Sequence, residues 1–409
     1  MKKTNLPPVR IAYLLSHPIQ YQAPLLREIA KVPEFDLTVF FRSDFSTKNF
    51  KDPGFGTQIG WDTDLLTGYH FEFLPAFGTT DRLTFWQPFN YGLWERLRKG
   101  RIQILWVHGY ATAFNLYVII VTKLLGIKVL VRDEATLVSK HRSKLKDAIK
   151  KIFFSCLDML VDGFLAIGTM NKQYYLANGI SEKKIFDMPY AVDNVFFQKE
   201  AEHCRNKRDE LRASLGLAMG RLVILFASKL IRRKRALDLL EAFNTVLNTI
   251  QPRPYLLFIG DGEMRHELEN RIKQLSLEAD VFMLGFKNQS ELPCYYDLCD
   301  VFVLPSFHEP WGLVINEAMN AGRAVIASDQ VGSAYDLIIR VKNGFMFQAG
   351  NIQDLASALT EVLSAPEQYE RMGKASLELI SEWSFDQDIG GLKSAVKAIL
   401  TGKETIPDI

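Results

Sequence analysis

The chain has 409 residues, 48% of them hydrophobic, with 49 basic side chains against 47 acidic ones. This length exceeds one ordinary core, so two domains are expected, and the composition excludes a disordered chain. The near-balanced charge gives no support for nucleic acid as a partner. The four cysteines include no Cys-x-x-Cys pair, and the first residues have no apolar signal core. Together these features indicate a reducing cytoplasm as the compartment.

Short apolar runs alternate with helical patterns along the first half of the chain. The strands predicted there are 9–15, 37–41, 104–109, 128–133 and 163–168. The most apolar stretch, 114–131, is interrupted by Lys123, Gly126 and Lys128, which favours a buried helix and a strand over a membrane span. Continuous apolar strands separated by helices are typical of a parallel sheet covered on both faces.

The same alternation restarts after a polar, charge-dense interval at 198–216. The strands predicted there are 221–228, 255–262, 281–285, 300–306 and 324–328, with helices at 236–249, 263–275 and 314–320. The boundary therefore falls near 190–200. The predicted fold class is α/β, with two doubly wound, Rossmann-like parallel sheets in domains 1–195 and 196–384. Ligands of such sheets bind beyond the carboxyl ends of the strands.

The stretch FHEPWGLVINEAM, residues 307–319, joins a predicted strand to a predicted helix. A helix N-terminus attracts anions, and Gly312 before Leu313 lets a phosphate approach the backbone. Glu309 precedes the turn and Glu317 lies about one helical turn inside, so the two carboxylates flank the anion site. They would accept hydroxyl groups from a transferred sugar and from a ribose. Solvated surface glutamates are the plainer alternative, but both residues at this junction favour binding.

A second candidate site is the loop that follows strand 221–228. Lys229 and Lys234 lie there, where two cations would neutralise a diphosphate and stabilise it as a leaving group. The neighbouring arginines leave a solvated basic turn as an equal alternative.

With these residues the chain resembles the large family of retaining glycosyltransferases, family 4, also called glycosyl transferases group 1. The family pattern E-P-x-G-L-x-x-x-E-A appears as Glu309 to Ala318. The upstream pattern G-R-L-x-x-x-K-G is matched loosely, because Lys229 replaces the arginine and both glycines are absent. The resemblance covers most of 220–385.

The resemblance implies the GT-B fold, in which the two domains face a central cleft and a C-terminal helix, here 385–409, crosses back to the first domain. It implies that Lys229 and Lys234 hold the diphosphate of a UDP- or GDP-sugar, Glu317 the ribose and Glu309 the donor sugar. It also implies transfer with retention. No metal or other cofactor is expected, because Asp261–Glu263 is better explained as a turn with first-turn acids.

The first domain departs from the family pattern. Ser16 and His17 stand where many members have a glycine-rich loop, so His17 is a candidate for binding acceptor or an ordinary loop histidine. Asp133 replaces a histidine that members often use, and His108 ends the preceding strand. Either of these two is a candidate for contacting the donor sugar, and capping a strand end is the alternative for both.

The acceptor is expected to be a glycan or lipid-linked precursor of cell-surface polysaccharide or lipopolysaccharide. Residues 139–160 combine clustered lysines with an apolar run, which indicates peripheral contact with the cytoplasmic face of a membrane or an ordinary exposed helix. Two other functions stay open, since one fold hosts several: a nucleotide-sugar epimerase and a non-catalytic glycosyltransferase-like subunit.

Overall fold

The structure is a computed structural model that describes residues 7–52, 54–56, 58–80, 83–137 and 144–402, without the side chains of residues 51 and 144–147. It divides into two compact units. The first unit comprises 1–50, 63–189 and 385–409, and the second comprises 51–62 and 190–384. The predicted first domain ran unbroken over 1–195. The structure differs in that 51–62 packs with the second unit.

Within the described part of the first 190 residues, seven parallel strands form one sheet, in the order β5-β2-β1-β8-β9-β10-β11. In chain order the strands are β1 (Val9–Leu15), β2 (Phe35–Phe41), β3 (Phe50–Lys51), β4 (Gln58–Ile59), β5 (His70–Phe73), β6 (Ala76–Phe77), β7 (Phe89–Asn90), β8 (Ile104–His108), β9 (Lys128–Arg132), β10 (Gly163–Ala166) and β11 (Ile185–Asp187). The helices are α1 (Gln22–Ala30), α2 (Leu93–Lys99), α3 (Ala113–Leu124), α4 (Lys144–Leu160) and α5 (Thr169–Ala177). Sequence reasoning missed β5 and β11, the two edge strands.

The second unit repeats this architecture. Six parallel strands of its described residues form a sheet in the order β14-β13-β12-β15-β16-β17. The strands are β12 (Val223–Ala227), β13 (Tyr255–Ile259), β14 (Val281–Met283), β15 (Val301–Leu304), β16 (Ala324–Ser328) and β17 (Gly344–Phe347). The helices are α6 (Asn194–Arg205), α7 (Arg208–Ser214), α8 (Ala236–Val246), α9 (Arg265–Gln274), α10 (Leu292–Leu298), α11 (Leu313–Asn320), α12 (Ala334–Leu337), α13 (Ile352–Leu363) and α14 (Pro366–Ser381).

Continuous burial explains why these strands form central parallel ladders. Every residue of β12, β13, β15 and β16 is buried, because helices cover both faces of the sheet. Side chains cap the N-termini of α3 and α6, as their sequence suggests. Thr112 accepts a hydrogen bond from the Asn115 N–H at the start of α3, and Asp193 accepts one from Phe196 at the start of α6. The predicted α/β fold class with two doubly wound sheets is confirmed.

The last helix, α15 (Phe385–Thr401), returns to the first unit. Leu392 and Val396 of this helix are buried in that unit's core together with Ile11 and Trp106, whereas Leu400 is 40% exposed. A side chain at Gly391 would meet the Asp187 carbonyl at 2.0 Å, so the helix approaches β11 at a distance that excludes any Cβ.

Candidate functional site

The strand orders place the candidate residues. In each sheet the order reverses once, between β1 and β8 in the first unit and between β12 and β15 in the second. Ligands of open α/β sheets bind beyond the carboxyl ends of strands at such a reversal. In the first unit Ser16 and His17 follow β1, and His108 is the last residue of β8. The candidates that follow β12 and β15 in the second unit are Lys229, Lys234, Glu309, Gly312, Leu313 and Glu317.

The start of α11 is shaped by glycine. Gly312 adopts φ +95°, in the left-handed region, and a Cβ there would meet Leu304 Cδ2 at 2.9 Å. Leu313 is the first helical residue, as sequence reasoning predicted within one position. The first-turn N–H groups of a helix lack intrahelical acceptors, so this end is suited to an anion.

Backbone hydrogen bonds fix the position of Glu309 just before that helix. Its N–H donates to the Gln330 carbonyl at 3.0 Å, and its own carbonyl accepts from Gly332 N–H at 2.9 Å. Its carboxylate accepts a hydrogen bond from the Lys234 ammonium and lies 3.6 Å from Arg233 Nη1. The structure therefore brings together two residues that lie 75 positions apart in the sequence.

Lys234 is almost fully buried, with 7% of its surface exposed. Burial lowers the pKa of its ammonium, and the Glu309 carboxylate opposes that change. Lys229, on the same loop, is more exposed and pairs with Asp52, whose carboxylate oxygens lie 2.8 and 2.9 Å from Nζ. Both lysines are therefore engaged by carboxylates of their own unit.

Glu317 points into the interior, where Tyr296 of α10 donates its hydroxyl to Oε2 at 2.6 Å. Burial raises the pKa of this carboxyl to about 7, against the lowering effect of the Tyr296 hydrogen bond. The group therefore titrates near neutrality. Sequence reasoning missed Tyr296, because nothing in the local pattern LPCYY indicates a contact with α11.

Two histidines lie at the carboxyl ends of the central strands of the first unit. The Tyr13 hydroxyl and His108 Nδ1 are 2.8 Å apart, and Ser16 Oγ and His17 Nδ1 are 2.9 Å apart. Burial lowers the pKa of His17 to about 4, and burial together with Arg132 lowers that of His108 to about 3. Both imidazoles are therefore neutral near pH 7 and serve as hydrogen-bond partners rather than cations.

Asp133 has a different setting from the one its strand position suggested. Its Oδ1 accepts hydrogen bonds from Tyr175 at 2.5 Å and from Asn171 at 3.2 Å, and only 8% of the residue is exposed. Burial raises the pKa of its carboxyl. The carboxylate thus joins β9 to α5 inside the first unit, and its contact with a donor sugar stays a prediction.

The cysteines also differ from what their spacing indicated. Cys204 on α6 and Cys294 on α10 form a disulfide, with Cα atoms 5.0 Å apart and 90 positions between them in the sequence. Cys-x-x-Cys spacing could not reveal this pairing. Cysteine usage therefore gives no support for a reducing compartment.

No helix of the described residues is long and apolar enough to cross a membrane. Nor do those residues contain a cluster of three or more His, Cys, Asp or Glu placed to hold a metal ion. Part of the predicted membrane-contacting segment 139–160, namely residues 139–143 and the side chains of 144–147, lies outside the described part of the chain.

The comparisons with known proteins agree with this geometry. Residues 207–378 match the model of the family described as "Glycosyl transferases group 1". An uncharacterized glycosyltransferase of Methanocaldococcus jannaschii is 35% identical over 153 residues, which cover 37% of this chain and 38% of that protein. The lipopolysaccharide 1,2-N-acetylglucosaminetransferase of Salmonella typhimurium is 26% identical over 191 residues, 44% of this chain and 50% of the relative. The matches thus span half or less of these two relatives.

Among solved structures, Anabaena HepE in complex with UDP superposes with a TM-score of 0.72 at 18% identity, covering 97% of this chain and 100% of that one. This similarity shows the fold. The family resemblance and the GT-B fold expected from the sequence are both confirmed: residues 207–378 form a domain of the family glycosyl transferases group 1, in a chain with the GT-B fold.

Proposed function

We propose that this chain is a retaining, metal-independent glycosyltransferase that moves a hexose-type sugar from a UDP- or GDP-sugar to a glycan or lipid-linked acceptor. One observation carries the proposal. The buried Lys234–Glu309 pair lies beyond β12 and β15, where the sheet order reverses, and α11 begins four residues after Glu309. A cation and a helix N-terminus in this position suit a diphosphate, and the carboxylate beside them suits sugar hydroxyls.

The two lysines would stabilise the leaving diphosphate. An ammonium has three N–H donors, so Lys234 can keep its bond to Glu309 and still donate to a phosphate oxygen. Lys229 would supply the second positive charge, and the N–H groups of α11 from Leu313 onward would add the helix dipole. Fixed positive groups of this kind are a general means of stabilising negative charge that develops in a transition state.

The carboxylates would orient the donor. We assign Glu317 to the ribose and Glu309 to the transferred sugar, as the family resemblance implies. In a front-face reaction the leaving phosphate oxygen takes the proton of the acceptor hydroxyl, the glycosidic bond to phosphate breaks, and the new bond forms on the same face. The enzyme then supplies orientation and electrostatic stabilisation, which the cationic groups above provide without a metal.

In the first unit, we assign ligand contact to His108 rather than to Asp133. The Asp133 carboxylate already accepts two internal hydrogen bonds, whereas His108 is a neutral, partly exposed imidazole at the end of a central strand. Ser16 and His17 follow the neighbouring strand β1 and would line the same end of the sheet.

The likeness to a lipopolysaccharide transferase of Salmonella supports an acceptor from cell-surface polysaccharide or lipopolysaccharide synthesis. A nucleotide-sugar donor and a lipid-linked acceptor together favour a location at the cytoplasmic face of a membrane. This location is part of the proposal.

The test begins with calorimetric binding of UDP, GDP and ADP to the purified chain. The preferred nucleotide then selects the donor sugars for incubation with and without lipid-linked acceptors. We expect one nucleoside diphosphate to bind and its sugar to be transferred with retained anomeric configuration. Isomerisation of the donor without acceptor would identify an epimerase instead, and failure of every nucleotide to bind would favour a non-catalytic subunit.

A further inference from the structure

The first unit presents a continuous, exposed surface of aromatic and aliphatic side chains. We call it the aromatic face and define it as Phe77, Phe89, Tyr91, Trp94, Tyr117, Ile120 and Leu124. Their exposed fractions run from 36% for Phe89 to 81% for Leu124. Large apolar side chains clustered at a surface usually mark a binding partner, whereas single ones do not.

Direct contacts make this surface continuous. The Phe77 and Tyr91 rings are 4.7 Å apart, and the Phe89 and Tyr117 rings are 5.6 Å apart. A cavity of about 120 Å³ between β7, α2 and α3 is lined by Phe89, Tyr91, Trp94 and Tyr117. On α3, residues 117, 120 and 124 follow one another at helical spacing, so they extend the surface along the helix.

The helix α4, which contacts α3, continues the apolar surface with further exposed side chains. Ile149 is 60% exposed, Ile152 is 66% exposed and Met159 is 70% exposed. Both helices cover the same face of the sheet, since Phe114 of α3 and Phe154 of α4 lie in one core cluster.

Positive charge accompanies these apolar residues. The segments 93–101, 113–128 and 148–160 contain eight basic residues and two acidic ones, Glu95 and Asp158. Four of the basic residues form ion pairs: Arg96 with Glu72, Lys99 with Glu95, and both Lys123 and Lys128 with Asp162. The basic residues are Arg96, Arg98, Lys99, Arg101, Lys123, Lys128, Lys150 and Lys151. Arg98 lies over the Trp94 ring at 5.5 Å, an arrangement in which the stem covers apolar surface and the charge stays at the water boundary.

We propose that the aromatic face, with α4 beside it, docks on the surface of an anionic lipid bilayer. Aromatic rings with polar tips, aliphatic side chains and adjacent cations are the combination that an interfacial site needs. A glycan would stack on the rings but has no use for exposed Leu124 and Ile152. The helix α4 belongs to the segment 139–160, for which the sequence already predicts membrane contact, and the aromatic face extends that contact to α2 and α3. The inference deepens the proposed function by giving the lipid-linked acceptor its membrane.

The test is co-sedimentation with vesicles of phosphatidylcholine alone and of equal parts phosphatidylcholine and phosphatidylglycerol, without donor or acceptor. Wild-type protein should bind the anionic vesicles, and I120E/L124E should bind them about tenfold or more weakly, because two apolar side chains no longer enter the interface. The matched control is Met219→Glu, which changes a residue of the second unit that is 65% exposed. It should bind as wild type does.

Equal binding of I120E/L124E and wild type, or no binding of wild type to anionic vesicles, would overturn the inference. So would a wild-type dimer that I120E/L124E converts to a monomer, because the surface would then serve a second copy of the chain. Circular dichroism and thermal unfolding of I120E/L124E, which should match wild type, verify that the first unit is folded. Since vesicle binding needs no transfer, its failure leaves the proposed function standing.

A separate observation concerns residues 51–62, which we call the strap. It packs on the second unit through several contacts: Asp52 pairs with Lys229, the Phe55 and Phe286 rings are 5.0 Å apart, and Asn288 donates to the Gly60 carbonyl at 3.2 Å. The backbones of the strap and of the turn after β13 lie very close together, because a Cβ at Gly262 would meet the Gly54 carbonyl oxygen at 2.8 Å.

We infer that Asp52 is an internal competitor of the donor at Lys229. Its two oxygens approach the ammonium as two oxygens of a phosphate would, and the Phe55 ring lies 4.9 Å from the same Nζ. If Lys229 binds the diphosphate, as the proposed function holds, the donor must displace Asp52 or share the ammonium with it. The strap would then set the donor affinity.

The experiment compares the affinities of Asp52→Asn, Asp62→Asn and wild type for UDP and GDP. Asp62 anchors the same strap through Ser290 and does not touch Lys229, so Asp62→Asn is the matched control. We expect Asp52→Asn to bind on the order of threefold or more tightly, since a partly exposed pair is lost, and Asp62→Asn to match wild type. Weaker or unchanged binding by Asp52→Asn overturns the inference while leaving the proposed function intact. No binding by any of the three proteins overturns both.

Discussion

The hydroxyl of Tyr296 donates to Glu317 at 2.6 Å and joins α10 to α11 inside the second unit. Because the carboxyl is buried, its pKa rises from 4.5 to about 7. The carboxyl group that we propose as the ribose ligand is therefore half protonated at neutral pH, which has a measurable consequence for stability.

Replacing Glu317 by Gln should change how stability depends on pH. The folded protein binds a proton on Glu317 that the unfolded chain has lost between pH 4.5 and about 7, so this residue makes stability fall as pH rises through that window. Glu317→Gln keeps an acceptor for Tyr296 without the charge. It should match wild type near pH 4 and exceed its free energy of unfolding by on the order of 3 kcal/mol above pH 7.

Urea unfolding of both proteins from pH 4 to 8 checks this, because the other titrating groups cancel in the difference. Tyr296→Phe supplies the control. This variant removes the hydrogen bond that lowers the pKa of Glu317, so the pH range over which Glu317 makes stability fall should lie higher than in wild type. A difference between Glu317→Gln and wild type that does not vary with pH would show that Glu317 titrates normally.

Glu309→Gln should abolish transfer and leave nucleotide binding largely intact. The amide keeps the shape of the side chain but cannot act as an anion beside the donor sugar, whereas the diphosphate contacts remain. Transfer rates and calorimetric affinity for the preferred nucleoside diphosphate are the two measurements. Equal losses in both would mean that the residue acts by holding the buried Lys234 ammonium rather than by contacting the sugar.

Lys234→Ala should weaken nucleoside diphosphate binding and leave the affinity for the free nucleoside unchanged, because only the diphosphate would meet the ammonium. A charge-assisted contact of this kind is worth about 1.5–3 kcal/mol, or roughly ten- to a hundredfold in affinity. The control is Arg232→Ala on the same turn, where the side chain is 79% exposed and faces Glu267. A similar loss from both variants would assign the effect to the general positive charge of the loop.

Sequence patterns predicted the parts of this molecule that local physics determines. The central strands were visible because continuous apolar runs follow from burial on both faces, and the start of α11 was visible because a short loop with a proline and Gly312 follows the apolar strand. Edge strands such as β5 were missed because they are short and only partly buried. The contacts of Lys229 with Asp52 and of Glu317 with Tyr296 join segments 177 and 21 positions apart, and no periodicity encodes such pairs.

The ion pair of Arg132 and Asp388 joins β9 to α15 within the first unit. Removing the arginine and removing the carboxylate should affect stability differently. Both side chains are 1% exposed, 3.1 Å apart, and burial raises the pKa of Asp388 to about 6. Asp388→Leu should cost about 3–5 kcal/mol near pH 5, because an arginine stays charged and would lose its partner in the interior while keeping the Met188 carbonyl. This cost should fall as the pH rises toward 8, because the raised pKa of Asp388 gives wild type a stability that is lost as the pH rises through about 6.

Arg132→Met should behave differently, since Asp388 can take up a proton and become neutral. Its cost should therefore shrink as the pH falls from neutrality toward 5, whereas the cost of Asp388→Leu should grow over the same range. The double variant R132M/D388L should recover most of either loss, because an apolar pair of similar volume replaces the buried charges. Urea unfolding of the three variants at pH 5 and pH 8 measures these costs. The control is Lys393→Ala, which removes an exposed ion pair between Lys393 of the same helix, α15, and Glu34. This variant should change the free energy of unfolding by less than about 1 kcal/mol. Additive losses in the double variant would show that the two side chains do not act as a pair.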